Sequence, residues 1–293
     1  MATWPNFFIV GAARAGTTSL YHYLAAHPDI YLPSKKEPMF FCHEEFSGER
    51  KWVRRDVVTK EKDYLKLFRD TQHAEAIGEA SSHYLSSPSA PSRIREVIPG
   101  AKIIILLRHP IERAYSAYFL GVRRSGVNRP FSQIVDQDLN QHRGLRHARG
   151  YFESGLYYEQ VKRYQEIFGP DQVRVYLFED LQSDSLGLVK DVCDFLGVGS
   201  DGDFLRRTPV YNAYSEPRNG VFRWALSNPV TQYLAMSLLP AKLRTLGQDR
   251  ILAKRAQKPS MDPKSRQLLC SFYREDVLKL QNLIGRELGA WLD

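Results

Sequence analysis

Two short groups of residues have the types and spacing to do chemistry. Gly11-Ala12-Ala13-Arg14-Ala15-Gly16-Thr17-Thr18-Ser19 follows the apolar run Phe7-Phe8-Ile9-Val10 and precedes the helical spacing Leu20, Tyr21, Tyr23, Leu24. A strand, a glycine turn and a helix start bring backbone N–H groups and the positive end of the helix onto one anion. The nucleoside-triphosphate version of such a loop, G-x-x-x-x-G-K-[ST], puts lysine directly before the hydroxyl residue that holds magnesium. Here Thr17 stands at the lysine position, and the nearest cation is Arg14. The loop suits a phosphate-like anion and lacks the usual parts for moving a γ-phosphate. The second group is Leu107-Arg108-His109-Pro110-Ile111-Glu112-Arg113-Ala114-Tyr115-Ser116. Arg108 falls at the carboxyl end of a strongly apolar run, where open α/β sheets bind ligands. Ser116 lies two turns into the helix that follows. An arginine and a serine so placed can grip a second phosphate; the plainer reading pairs Arg108 with a carboxylate and packs Ser116 as a small residue.

The elements that must position these groups are legible around them. Buried parallel strands are expected at Phe7–Val10, Ala76–Glu79, Lys102–Leu107 and Val173–Phe178, the third continuously apolar after its lysine. Helical periodicity fills Glu112–Gly121, Gly155–Phe168 and Leu186–Leu196, the last ended by Gly197. Strand–crossover–strand repetition argues for an α/β fold, a P-loop NTPase-like parallel sheet flanked by helices on both faces. Two stretches break the pattern. An arginine-rich, polar segment at about 123–149 reads as a lid or binding loop, with Arg123, Arg124, Arg143, Arg146 and Arg149 on it. Ser215–Met261 carries Pro217, Pro229, Pro240 and Pro259, so helices there are short or kinked. Asp262 as N-cap and Pro263 at the first helical position open a final helix from Ser265 to about Leu288. The whole chain, 1–293, is expected to form one domain: a core over 6–197, the lid-like segment, and a helical C-terminal part over about 215–293.

Length, charge and cysteine usage narrow the classes. The 293 residues suffice for a sizeable core. A net charge of +8 favours anionic partners. The basic residues are scattered and form no nucleic-acid module, so no nucleic-acid partner is expected. Cys42, Cys193 and Cys270 are spaced for neither a disulfide framework nor a metal site, which fits a reducing compartment. A core strand begins by Phe7 and no run approaches the ~20 apolar residues of a spanning helix. The expectation is a cytoplasmic protein with no transmembrane segment and no metal. Val221–Leu226 and Tyr233–Leu239 are apolar and aromatic, read as core helices or as a peripheral contact with lipid. Oligomeric state is not legible.

With these residues in view, the chain resembles the sulfotransferases that use 3′-phosphoadenosine 5′-phosphosulfate (PAPS), especially the heparan sulfate sulfotransferase-like branch and its bacterial relatives. Phe8 to Ser19 matches that family's 5′-phosphosulfate loop, where the Arg14 position is more often lysine. Leu107 to Ser116 matches its 3′-phosphate motif. Lys36-Glu37-Pro38-Met39-Phe40-Phe41 resembles the segment whose glutamate is the catalytic base of that branch; Gly78-Glu79-Ala80-Ser81-Ser82-His83-Tyr84 and Gly155-Leu156-Tyr157 also fit.

The resemblance implies transfer of a sulfuryl group from PAPS, leaving 3′-phosphoadenosine 5′-phosphate (PAP), to a hydroxyl or amine of a carbohydrate or small-molecule acceptor. Arg14, Ala15, Gly16, Thr17, Thr18 and Ser19 would cradle the 5′-phosphosulfate, and Arg108 and Ser116 the 3′-phosphate. Glu37 would be the base, with His83 the competing candidate and Glu79 placed to orient either one. Luminal relatives close a disulfide-bounded loop over the 3′-phosphate. This chain has no cysteine pair there, and Arg218, or Lys254 and Arg255, are the candidates to replace it. Some relatives carry histidine where Gln160 stands. The competing classes are a nucleotide kinase with a degenerate loop, disfavoured by the missing Lys-Ser/Thr pair and magnesium carboxylate, and a non-catalytic nucleotide or acidic-glycan binding protein.

Overall fold

In the computed structural model of the chain, residues 3–46, 57–71, 74–125, 127, 129–140, 151–199, 215–217, 253–255 and 259–293 are described. Strand β1 (Phe7–Gly11) turns into α1 (Thr17–Leu24) and the short β2 (Ile30–Tyr31). A 3-10 segment over Phe40–Phe46 and α2 (Glu61–Leu65) precede β3 (Ala76–Ala80). Next come α3 (Ala90–Val97), β4 (Lys102–Leu107), α4 (Pro110–Ser125) and α5 (Phe131–Asn140). They are followed by α6 (Tyr158–Phe168), β5 (Val173–Leu177), α7 (Phe178–Ser183) and α8 (Ser185–Leu196). Strands β6 (Ser215–Pro217) and β7 (Ala253–Arg255) pair antiparallel, and α9 (Pro263–Ile284) ends the sequence of long elements.

The main sheet has the order β2-β3-β1-β4-β5, and every pairing in it is parallel. Strands β1 and β4 are neighbours, with Phe7 opposite Lys102 and Ile9 opposite Ile104, and the register shifts between Ile9 and Gly11. The loop after β1 and Arg108 after β4 therefore leave the sheet at the same edge. Alternation sorts the strand residues. Phe7, Ile9, Ile104, Leu106 and Tyr176 join Leu20 and Leu24 of α1 and Val189 and Val192 of α8 in one apolar cluster. Phe8, Val10, Ile103, Ile105 and Leu107 are equally buried and point to the opposite face. Both faces of the sheet are thus covered, which is why these strands read as continuous apolar runs.

The chain divides into two compact units, one drawn from Met1–Pro110, Leu156–Tyr211 and Arg274–Asp293 and the other from Ile111–Gly155 and Asn212–Tyr273. The first holds the five-stranded sheet. In the second, Tyr115, Phe131 and Phe152 form an aromatic core, with ring centroids 4.9 Å apart for the first two and 6.1 Å for the last two. The Tyr273 hydroxyl donates to the Phe152 carbonyl at 2.9 Å, and Arg266 pairs with Glu112 at 2.7 Å.

Several boundaries differ from the sequence reading. Phe178 opens α7 rather than ending β5. The short edge strand β2 has too few residues to show a pattern. Helix α9 ends at Ile284, before Leu288, because Gly285 takes φ 63 and breaks the helix. Its start is as expected, with the Ser265 N–H donating to Asp262 Oδ1 at 2.9 Å. The lid-like segment is largely helical where described, α4 running to Ser125 and α5 covering Phe131–Asn140, with the described residues between them not helical; Arg143, Arg146 and Arg149 lie outside the described residues. The C-terminal part is not helical throughout, since β6 and β7 form a ribbon. Val221–Leu226, Tyr233–Leu239 and Arg218 lie outside the described residues. Among the described residues no helix is long and apolar enough to cross a membrane, and no cluster of His, Cys, Asp or Glu is placed to hold a metal.

Candidate active site

The anion loop is built by close approach. Ala12 N–H donates to the Leu106 carbonyl at 2.7 Å and Ala15 N–H to the Ala12 carbonyl at 3.1 Å, curling the chain over the carboxyl ends of β1 and β4. Arg14 takes φ 72 and Gly16, the N-cap of α1, takes φ 93. A side chain on Gly16 would place its Cβ 2.6 Å from the Phe178 ring, so only glycine lets α1 start this close to α7. The first N–H groups of α1 have no intrahelical acceptor and point out of the helix start. Thr17 and Ser19 are buried there, and Arg14 and Thr18 are half-buried. Gly16→Ala is expected to lower nucleotide affinity at least tenfold, because the loop must shift from Phe178; calorimetric titration of the variant with PAP measures it.

Arg108 meets this loop directly. Its Nη1 donates to the Arg14 carbonyl at 3.2 Å, and its guanidinium lies 4.6 Å from the centroid of the Phe178 ring. The Arg108 carbonyl accepts from the Tyr157 hydroxyl at 2.9 Å. Tyr157 is set in turn by Asp276, whose carboxylate accepts from the Tyr157 and Tyr158 N–H groups at 2.7 and 3.2 Å at the start of α6. Burial raises the Asp276 carboxyl to about 6 despite those two donors. Ser116 falls in the second unit, buried on α4.

Glu37 sits on a strained turn. Among the described residues the non-glycine residues with positive φ are Arg14, in the loop after β1, and Glu37 (φ 60) and Met39 (φ 54), in the Lys36–Phe41 segment. Such backbone costs about 1–3 kcal/mol per residue and persists where the surroundings impose it. Here they do. Glu37 N–H donates to the Ala80 carbonyl at 2.9 Å and Met39 N–H to Ser81 Oγ at 3.0 Å. The Glu37 carboxylate accepts from Lys36 Nζ at 2.6 Å and Ser82 Oγ at 2.8 Å on Oε1, and from Ser82 N–H at 2.8 Å on Oε2. His83 Nδ1 is 3.9 Å from the same Oε2 and largely exposed. Burial alone would raise this carboxyl, but the Lys36 ammonium and the His83 ring outweigh it and hold it at about 2. The group is ionised at neutral pH.

Ser82 ties this carboxylate to the anion loop. A Cβ built on Gly11 would lie 3.0 Å from the Ser82 carbonyl oxygen, so the loop's first residue and the residue holding Glu37 are in contact. Leu85 N–H and Ser81 N–H also donate to the carbonyls of Val10 and Ile9, at 2.8 and 3.2 Å. Glu45 accepts from Ser87 and Ser89 at 2.6 and 2.7 Å, joining the ends of the two segments.

The expected orienting role of Glu79 takes another form. Its carboxylate is fully buried and accepts from Ser81 Oγ, Tyr64 Oη and Tyr84 Oη at 2.5, 2.7 and 3.0 Å. Those bonds go to neither the Glu37 nor the His83 side chain. Burial pushes this carboxyl up to about 7 against the three hydroxyl donors. Sequence reasoning passed over Lys36 and Ser82, which lie inside quoted motifs, and Phe178 and Tyr64, which carry no local signal.

A strand–loop–helix turn beside an ionised carboxylate has the parts for group transfer. A family model described as "Sulfotransferase family" matches residues 5–201, and the chain belongs to that family. It is 29% identical to the mouse bifunctional heparan sulfate N-deacetylase/N-sulfotransferase 4 over 305 residues, covering 98% of this chain and 31% of that protein. The human N-deacetylase/N-sulfotransferase 3 is 28% identical, covering 98% of this chain and 31% of that protein, so the chain spans under a third of these relatives. Among solved structures, a sulfotransferase from Alicyclobacillus acidocaldarius matches at 33% identity and TM-score 0.74, covering 99% of this chain and 100% of that one. A mouse sulfotransferase complexed with PAP shares the fold at 14% identity and TM-score 0.54, over 93% of this chain and 84% of that one.

Proposed function

We propose that this chain moves the sulfuryl group of PAPS onto a hydroxyl or amine of a carbohydrate or small-molecule acceptor by in-line displacement, with Glu37 as general base. The observation that carries the reading is the contact of Ser82 with both Gly11 of the anion loop and the carboxylate of Glu37. When bound, PAPS supplies a sulfuryl group on a 5′-phosphate leaving group and a second phosphate on the 3′-oxygen. The residues present fit that pair of anions. The Gly16 turn, where a Cβ would meet the Phe178 ring, brings the start of α1 and its outward N–H groups to the loop, and Arg108 lies beside the same loop.

Backbone N–H groups of residues 13–18, the Thr17 and Thr18 hydroxyls and the Arg14 guanidinium stabilise negative charge as it builds on the 5′-phosphate. Ala15 and Ser19 complete the loop. The sequence motifs assign Arg108 and Ser116 to the 3′-phosphate, with Arg218, or Lys254 and Arg255, to cover it. Glu37 takes the proton of the acceptor, and Lys36 keeps the carboxylate ionised until then. His83, near the same oxygen, is the competing base. The relatives' names join heparan sulfate to N-sulfation, so a glycan amine heads the acceptors to screen with labelled PAPS.

The reading is tested by calorimetry with PAP against ATP and magnesium. One extra charge-assisted contact is worth about 1.5–3 kcal/mol. PAP is therefore expected to bind roughly 10- to 150-fold tighter. Tighter binding of ATP would favour a nucleotide kinase instead.

A further inference from the structure

Glu79 has no place in the chemistry above, yet it is fully buried with no cation among its hydrogen-bond partners. A carboxylate in such a place needs a reason, because desolvating it costs more than three neutral hydroxyl donors return. The reason lies one bond further out. Ser81 spends its proton on Glu79 Oε1 and offers its oxygen to the Met39 N–H at 3.0 Å. Tyr84 spends its proton on Glu79 Oε2 and offers its oxygen to the Phe41 N–H at 3.2 Å. Tyr64 donates to the same Oε2 and closes the carboxylate on its third side.

Each relay hydroxyl is thereby fixed in one orientation. Were its proton free to turn, it would compete for the amide's side of the oxygen; with the proton held by a carboxylate, the lone pairs face Met39 and Phe41. One of these amides belongs to the turn in which Glu37 and Met39 adopt φ 60 and φ 54, and the other follows it by two residues. The surrounding rings make the clamp stiff: Phe40 stacks on Tyr64 at 4.4 Å between centroids, and Phe41 meets Tyr64 and Tyr84 edge-on at 5.6 and 6.0 Å.

We propose that Glu79 is a positioning residue for the base: through Ser81 and Tyr84 it orients two hydroxyls that hold the backbone of the Glu37–Phe41 turn, and so sets where the Glu37 carboxylate stands. The inference rests on the reading of Glu37 as base only for its catalytic consequence; the mechanical claim stands apart. Glutamine at 79 cannot accept from both relays, since its amide must donate to one of them and strand that hydroxyl's proton. Ser81→Ala and Tyr84→Phe each remove one relay and leave the carboxylate in place.

The test uses the full chain and needs no acceptor for its main readouts. Amide hydrogen exchange at Met39 and Phe41 and a carbon-13 NMR titration of the Glu37 carboxyl are measured in wild type, Glu79→Gln, Ser81→Ala and Tyr84→Phe. PAP affinity is measured beside them. Glu79→Gln is expected to speed exchange at both amides about tenfold or more, Ser81→Ala at Met39 and Tyr84→Phe at Phe41. In Ser81→Ala and Tyr84→Phe the Glu37 titration should move up from about 2 toward the ordinary 4.5; the exchange measurement on Glu79→Gln is made above pH 7, where Glu79 is ionised in wild type. PAP affinity should change less than about twofold, because the anion loop is untouched. Should Glu79→Gln fail to fold, the two hydroxyl variants carry the test alone. Unchanged exchange and an unmoved Glu37 titration would overturn the proposal. Turnover of N-desulfated heparin by Glu37→Ala would instead remove the base assignment and leave the relay standing.

Discussion

Glu37→Ala is expected to lower sulfuryl transfer by about 10²- to 10⁴-fold, the usual contribution of a positioned general base, while PAP affinity stays within about twofold of wild type. The split follows from geometry. The Glu37 carboxylate is held by Lys36 and Ser82, whereas the proposed nucleotide cradle is the loop after β1 with Arg108. Removing the carboxylate takes away the proton's destination without disturbing an anion contact. The measurement pairs initial rates, in a screen of amine- and hydroxyl-bearing glycans with labelled PAPS, with calorimetric binding of PAP. Retained turnover would move the base to His83, whose Nδ1 lies 3.9 Å from the same oxygen.

The same carboxylate makes a pH statement with a definite sign. Its folded value, about 2, lies below the ordinary 4.5, so its ionised form stabilises the folded chain. That contribution is complete above about pH 4.5 and is lost as pH falls through about 2. Glu37→Ala removes it, so the variant should lose less stability than wild type between those two values. Any fall in activity near neutral pH must come from another group, since Glu37 is already ionised there.

How much of this was open to reading from the chain alone depends on the range of the interaction. The loop from Gly11 to Ser19 and the strand before it form a contiguous signal, and α1 starts at Thr17 as the spacing requires. Arg108 follows an apolar run buried on both faces, so its place at the carboxyl end of a central strand was equally legible. The partners that fix these residues were not. Tyr64 reaches Glu79 from a charged segment with no motif, and Asp276 reaches Tyr157 across 119 residues. Long-range hydrogen bonds of this kind leave no period in a sequence. Glu79 shows the consequence: its presence beside the motif was visible, but its hydroxyl partners turn it from a direct orienting group into a clamp on the backbone.

The two arginines should separate when removed. Arg14→Ala is expected to cost about 2.7–4 kcal/mol of barrier, or roughly 10²- to 10³-fold in kcat, as loss of one preorganised donor at a developing charge does. Arg108→Ala should instead act mainly on recognition of the 3′-phosphate, weakening PAP by about 1.5–3 kcal/mol and leaving adenosine 5′-phosphate nearly unchanged. The separation is not complete, because Arg108 also donates to the Arg14 carbonyl at 3.2 Å and rests on Phe178, the ring that limits Gly16. Arg108→Ala therefore carries a secondary fall in kcat, and the double variant should lose less than the sum of the two single losses. Lysine at 108 would keep the charge but not the planar fork that meets the Arg14 carbonyl and the Phe178 ring face together. Calorimetry with both nucleotides on both single variants decides the matter. Equal weakening of PAP and adenosine 5′-phosphate by Arg108→Ala would mean that this arginine supports the loop alone, and the second phosphate would need another partner.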